Sequence, residues 1–385
     1  MFKHYKSLFV IAFGFAMLLS ISVIQSNISA SSSTEETKKI PMYMIKTRDY
    51  VNPNYESVEE PGYGNYSFLN TSQLTQQQPC QENEIAIFVH GWGASEDEAK
   101  ERFDRVKISL ENNNYTHPLV GLSWPSDTVW SAAKFIAKEN GPKLAKFILN
   151  LKNNCPETEI RLLAHSLGSR VVLSSLDSLH KDPLWNDSNF KIASVHLMAA
   201  AVDNEEVSIN PADILIDQTN WGTPKSDYGH AIKEEVIKFY NLYSSTDKML
   251  APNLVKPYYP YQVYPSAEAD WALGQSGYQK VPESEIKDLS GDLKVKGSLP
   301  SNYVEKNVTN ELLAICDADA DLKPDLPFLA GQNVSIGENH GGYMGFRENI
   351  TKLVDDGAMD VVVNDWVNKT IPYNNQDFAS KGICK

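Results

Sequence analysis

The sequence lacks a glycine-rich phosphate loop: neither G-x-G-x-x-G nor G-x-x-x-x-G-K-[ST] follows a strand-like run, so the usual sequence signal of a nucleotide enzyme is missing. Positive charge is also in short supply. The 385 residues carry 35 Lys and Arg against 49 Asp and Glu, a formal net charge of −14, which argues against nucleic acid and anionic membrane surfaces as partners. No internal repeat is evident. With 42% hydrophobic and 22% charged residues the chain is not of disordered composition, and it suffices for one large α/β domain or two smaller ones.

Cysteine is sparse. The N-terminus bears on how its four copies, Cys80, Cys155, Cys316 and Cys384, are read. Lys3 and Lys6 precede an uncharged apolar run from Leu8 to Ile24, and small residues follow to Ser29-Ala30, so residues 1–30 read as a secretory signal peptide. A retained membrane anchor is the alternative, since the run approaches the length of a spanning helix. Removal of residues 1–30 takes away two lysines and no acid, moving the net charge from −14 to −16. Export to an extracellular or cell-surface location implies an oxidising compartment, where an even number of cysteines points to disulfides. Sequons at Asn65, Asn70, Asn114, Asn186, Asn307, Asn333, Asn349 and Asn368 offer glycosylation sites in a suitable host.

A polar linker, residues 31–39, leads into the body of the chain, residues 40–385, where short apolar runs alternate with helical patterns. Strands are expected at Ile40–Ile45, Glu84–Val89, Leu119–Ser123, Glu159–Ala164, Ile192–Met198 and Val236–Tyr243. Helices are expected near Ser95–Leu110, Thr128–Leu151, Leu167–Leu179, Glu205–Ile216 and Met359–Asn368. Such alternation predicts an α/β fold with a mostly parallel sheet and right-handed crossovers. From 251 to 335 the pattern gives way to Pro- and Tyr-rich sequence, including K-P-Y-Y-P-Y-Q-V-Y-P, which reads as an insertion or lid over the functional edge of the sheet.

The chemistry centres on R-L-L-A-H-S-L-G-S-R, residues 161–170. Ser166 follows one strand run and precedes an amphipathic helix pattern, with small residues, Ala164 and Gly168, two positions before and after it. Strand, tight turn and helix form the context of a nucleophile elbow, although A-x-S-x-G alone also fits a serine that merely caps a helix. Upstream, the run Ile85–Val89 passes directly into His90-Gly91-Trp92-Gly93. Acyl transfer builds negative charge on a carbonyl oxygen, and the Trp92 and Leu167 backbone N–H groups are the expected oxyanion donors.

These motifs carry a resemblance. M-I-K-T-R near the start, F-V-H-G-W, L-S-W-P-S and L-A-H-S-L-G occur here in the order seen in a largely uncharacterised group of alpha/beta-hydrolases. The chain therefore resembles a serine esterase or lipase of the alpha/beta-hydrolase fold over roughly residues 40–250 and from His340 onward. The resemblance implies helices on both faces of the sheet and a triad in the chain order serine, acid, histidine; the insertion before His340 has no counterpart in it. Of the eight histidines, His180, His196, His230 and His340 follow Ser166, and His340 alone lies beyond the last recognisable strand, in the glycine-flanked E-N-H-G-G-Y. The acid has two candidates: Asp247, after K-F-Y-N-L-Y-S-S-T, is preferred, and Asp203, after V-H-L-M-A-A-A-V, is the alternative.

In this architecture the third and fifth strands are neighbours, which implies Cys80–Cys155 and leaves Cys316–Cys384. The expected substrate is a small-molecule or lipid ester, and the triad needs no cofactor. A catalytically silent binding protein and an amidase or peptidase are the rival readings. Asp317, Asp319, Asp321 and Asp325 could wrap a calcium ion, though Leu322 stands where such loops carry glycine; a solvated acidic loop is the competing reading.

Overall fold

A computed structural model describes residues 39–48, 66–68, 78–209, 227–247, 249–250, 272–278, 298–312, 340–349 and 352–367. All of them belong to one compact unit, Lys39–Lys385. Among the described residues the strands β1 (Met42–Lys46), β2 (Tyr66–Phe68), β3 (Glu84–Val89), β4 (Leu119–Ser123), β5 (Glu159–His165), β6 (Ile192–Met198), β7 (Val236–Tyr243) and β8 (Tyr303–Asn307) form one eight-stranded sheet in the order β2-β1-β4-β3-β5-β6-β7-β8. Every pairing in it is parallel. The central strands are continuously apolar because both faces are covered; Ile85 to Val89 of β3 are buried without exception.

Helix α1 (Glu96–Asn112) carries the chain from β3 to β4, and helix α2 (Trp130–Asn154) carries it back past β3 to β5. Right-handed crossovers running in opposite directions place α1 and α2 on opposite faces. Packing agrees: α2 lies against α3 (Gly168–His180) and α3 against both the short α4 (Pro183–Asp187) and α5 (Gly229–Glu235). Two further helices follow, α6 (Leu273–Ser276) and α7 (Met359–Trp366), of which α7 packs on α1. Helix α1 opens with a capping box in which the Ser95 hydroxyl accepts from the Glu98 N–H and the Glu98 carboxylate from the Ser95 N–H. Between α2 and α3 the approach is close enough that a Cβ on Gly141 would fall 2.3 Å from Ser174 Oγ.

The β3–β5 register pairs Ile85 with Ile160 and Val89 with Ala164. Five residues before that first pair, Cys80 and Cys155 are disulfide-bonded with their Cα atoms 5.2 Å apart. The other two cysteines lie outside the described residues, as do the four aspartates Asp317, Asp319, Asp321 and Asp325 and the N-terminal segment read as a signal peptide.

Three expectations need adjustment. Strand β8 lies inside the stretch read as an insertion, and it pairs with β7 from Phe239↔Tyr303 to Tyr243↔Asn307. Leu273 of α6 is likewise wholly buried, so parts of 251–335 belong to the sheet and its core rather than to a lid. The physical reason is that β8 is an edge strand, Y-V-E-K-N, whose half-exposed and charged residues lack an apolar run. The helix expected over Glu205–Ile216 is a 3-10 turn at Asn204–Val207, and the remainder lies outside the described residues. At the N-terminal edge, β1 runs on to Lys46, which pairs with Ser123 and reaches Glu96 at 2.8 Å.

Candidate active site

Strand order reverses around β3, and in open parallel sheets ligands bind at the carboxyl ends of the strands beside such a reversal. Ser166 stands there, one residue past β5 and two before α3. Its φ is +54°, the left-handed region that a non-glycine residue enters only under constraint, at a cost of about 1–3 kcal/mol. The constraint comes from main-chain bonds to the end of β6 and the strip after it: the Ser166 N–H donates to Met198 O at 2.9 Å, and the Ala201 N–H donates to Ser166 O at 3.1 Å.

Two glycines let the neighbouring turns close on the serine. A Cβ on Gly91 would sit 2.8 Å from Ser166 Cβ, and one on Gly168 would sit 2.5 Å from Val89 O and 2.6 Å from His90 O. The turn after β3 and the start of α3 are therefore in backbone contact. The Trp92 and Leu167 N–H groups, the expected oxyanion donors, have no hydrogen-bond partner among the described residues.

The quoted motifs meet around this turn. The Trp124 indole stacks on the His90 ring at 5.6 Å, its Nε1–H donates to His90 O at 2.7 Å, and the Trp124 N–H donates to His90 Nε2 at 3.2 Å. His90 therefore carries its proton on Nδ1, which lies 2.9 Å from Gly91 O. Burial pushes this imidazole well below its ordinary range, so it stays neutral. Ser126 O accepts the Gly93 N–H, and Ser126 Oγ accepts the Ala94 N–H, both at 3.0 Å. From β1, Arg48 reaches Ser123 Oγ at 2.8 Å and Ala94 O at 3.1 Å.

Opposite the serine lies a histidine–carboxylate pair. His340 Nδ1 is 2.7 Å from Asp247 Oδ2, with both side chains buried. Asp247 follows β7, and its other oxygen accepts the N–H groups of Met249 (2.9 Å) and Leu250 (3.2 Å). Three donors thus fix the carboxylate, and it in turn fixes His340 as the tautomer whose Nε2 carries the lone pair. Asp203, the alternative acid, is buried in the turn after β6, where its backbone bridges Ala272 and its carbonyl accepts the Glu206 N–H.

Two residues not singled out from sequence complete the surroundings. His165 Nε2 lies 2.8 Å from His340 O, tying the histidine loop to the residue beside Ser166, and the two rings sit 4.9 Å apart. Burial, then the electrostatic influence of the neighbouring His340, holds the His165 imidazole well below its ordinary range. Tyr343 is fully buried, and burial followed by the negative charge of Asp247 holds its phenol well above the usual value. His165 was visible as part of the elbow motif, but a bond to a carbonyl 175 positions away leaves no local signal.

A family model described as an alpha/beta hydrolase of unknown function (DUF900) matches residues 68–254. Among solved structures, the chain is similar to the esterase Pf2001 of Pyrococcus furiosus, with 16% identity, 44% of this chain and 64% of that chain covered, and a TM-score of 0.27. It is also similar to phospholipase PlaB of Legionella pneumophila (11% identity, 57% and 50% covered, TM-score 0.30) and to lipase B of Aspergillus fumigatus (11% identity, 59% and 45% covered, TM-score 0.29). The chain spans less than two thirds of the length of each of these three proteins. No curated protein matches it in sequence. The fold is that of an alpha/beta hydrolase, and the matched family model covers 68–254 of the chain.

Proposed function

We propose that the protein is a secreted serine hydrolase that cleaves carboxylic esters, small-molecule or lipid, with Ser166, His340 and Asp247 as its triad. The observation that carries this reading is Ser166 at φ +54°, in contact with Gly91 and joined through His165 to the buried His340–Asp247 pair. Ser166 Oγ attacks the ester carbonyl while His340 Nε2 takes its proton, and Asp247 stabilises the imidazolium. The carbonyl oxygen becomes an oxyanion facing the Trp92 and Leu167 N–H groups, the latter also favoured by its place at the N-terminus of α3. Collapse expels the alcohol, which takes the proton from His340. Water activated by the same nitrogen then releases the acid. None of these steps takes a cofactor.

Secretion rests on the N-terminal sequence pattern and on the Cys80–Cys155 disulfide, which suits an oxidising compartment. No helix of the described residues is long and apolar enough to cross a membrane. The test is labelling by a fluorophosphonate probe, wild type against Ser166→Ala, followed by turnover of p-nitrophenyl esters of increasing chain length. Labelling and turnover should require Ser166; equal labelling of the two proteins would instead favour a catalytically silent binding protein.

A further inference from the structure

The turn that presents Trp92 is backed by a buried cation. Arg102 lies on α1, two turns in, and is 8% exposed. Its Nη1 reaches two consecutive carbonyl oxygens of the turn, Gly91 O at 3.4 Å and Trp92 O at 3.3 Å. Gly91 O also lies 2.9 Å from His90 Nδ1, which fixes it from a second direction. A trans peptide points its C=O and the following N–H in opposite directions. Holding Gly91 O toward α1 therefore aims the Trp92 N–H away from α1. Holding Trp92 O does the same for the Gly93 N–H, which is satisfied by Ser126 O at 3.0 Å.

We propose that Arg102 is a positioning residue for the oxyanion turn, orienting the Gly91–Trp92 peptide and strengthening the Trp92 N–H as a donor by polarising that peptide from behind. This rests on the hydrolase reading above. An amide whose oxygen faces a guanidinium carries more positive charge on its N–H, and a low-dielectric surrounding amplifies the effect. The stabilisation counts in the tetrahedral intermediate, where the carbonyl oxygen bears full charge, and hardly at all in the bound ester. The charge of Arg102 is felt on both sides of the turn, since after burial it helps hold His90 below its ordinary pKa and contributes to the same depression at His165.

The experiment compares wild type, Arg102→Met and Arg102→Lys, each checked for thermal unfolding, with Ser166→Ala as the blank. Steady-state ester hydrolysis is measured alongside NMR titration of the isotope-labelled hemiketal carbon formed with an aryl trifluoromethyl ketone. Arg102→Met should lose about 10- to 100-fold in kcat with KM little changed. Its hemiketal oxyanion should titrate about one pH unit higher than in wild type. Arg102→Lys, which keeps the charge but loses the fork, should fall between the two, and it decides the matter if the methionine variant does not fold. Folded variants with wild-type kcat and hemiketal pKa, or a loss confined to KM, would overturn the role of Arg102 while leaving the triad intact. Absence of a Ser166-dependent hemiketal in wild type would overturn the hydrolase reading, and this proposal with it.

Discussion

Among the described residues two histidine–aspartate pairs invite comparison, and their surroundings differ. His340 and Asp247 lie on loops at the carboxyl edge of the sheet, and the His340 backbone is tied to the residue beside Ser166. His196 and Asp365 lie between β6 and α7, 3.2 Å apart. There the imidazole stacks on Tyr240 at 4.4 Å and meets Trp366 edge-on at 6.0 Å. The Trp366 Nε1–H donates to His196 Nδ1 at 3.4 Å, so both ring nitrogens are committed, one to indole and one to carboxylate. Asp365 is shared with Lys306. Burial works to raise its pKa, yet the bonds from His196 and Lys306 outweigh it and hold the carboxyl below its ordinary value. A histidine–aspartate distance by itself therefore says little about what such a pair does.

That contrast breaks most cleanly at the histidines. His340→Ala should lower kcat by about 10⁶-fold with little loss of stability, whereas His196→Gln should leave kcat within a few-fold and lower stability by about 2 kcal/mol. Ester turnover and denaturant titration on both proteins check the two arms. At the acids, Asp247→Asn should cost about 10⁴ in kcat by disfavouring the productive tautomer, and Asp365→Asn should show its loss in melting temperature, not in rate.

At the far end of β3 and β5, Cys155→Ser opens a crosslink spanning 75 positions and should cost about 2–5 kcal/mol without changing kcat per folded molecule. The smallest expected effect is in pH dependence. Burial depresses the pKa of His196, as of His90 and His165, below the ordinary value of 6.5. The folded protein therefore stays neutral at these sites while the unfolded chain takes up protons. Stability is complete above pH 6.5 and falls as pH drops below it, by about 1.4 kcal/mol per unit for each such histidine. Between pH 6.5 and 5.5, His196→Gln should remove one such contribution, read as a shallower slope in urea unfolding. An unchanged slope would mean that the His196 ring is protonated inside the fold.

Legibility followed burial. Strands β3, β4 and β6 stand where their apolar runs predicted, because residues covered on both faces leave few alternatives to Val, Ile, Leu and Phe, and β7 stands there too although Ile237 and Lys238 are exposed. Strand β8 escaped because an edge position accepts Glu305 and Lys306. Helices α4 and α5 are too short for periodicity to register, and the antiparallel hairpin of β9 (Phe346–Asn349) and β10 (Lys352–Asp355) was not anticipated. At the candidate site, the sharp turn at Ser166 was legible because a left-handed turn demands small neighbours at fixed spacing. The two candidate acids, Asp203 and Asp247, could not be told apart in the same way, since both follow strand ends; the structure sets Asp247 at 2.7 Å from the His340 ring.

By itself the sequence determined the elements whose constraints are local: apolar strands, a capped helix, a serine squeezed between Ala164 and Gly168, and a glycine turn ahead of Trp92. Tertiary structure alone decided what depends on residues far apart in the chain. It set Asp247 against His340 across 93 positions, brought His165 to the His340 carbonyl, and placed Arg102 behind the peptide of Trp92. Hydrogen bonds and charges act through space over a few ångströms, and only the closed sheet brings those groups within that range.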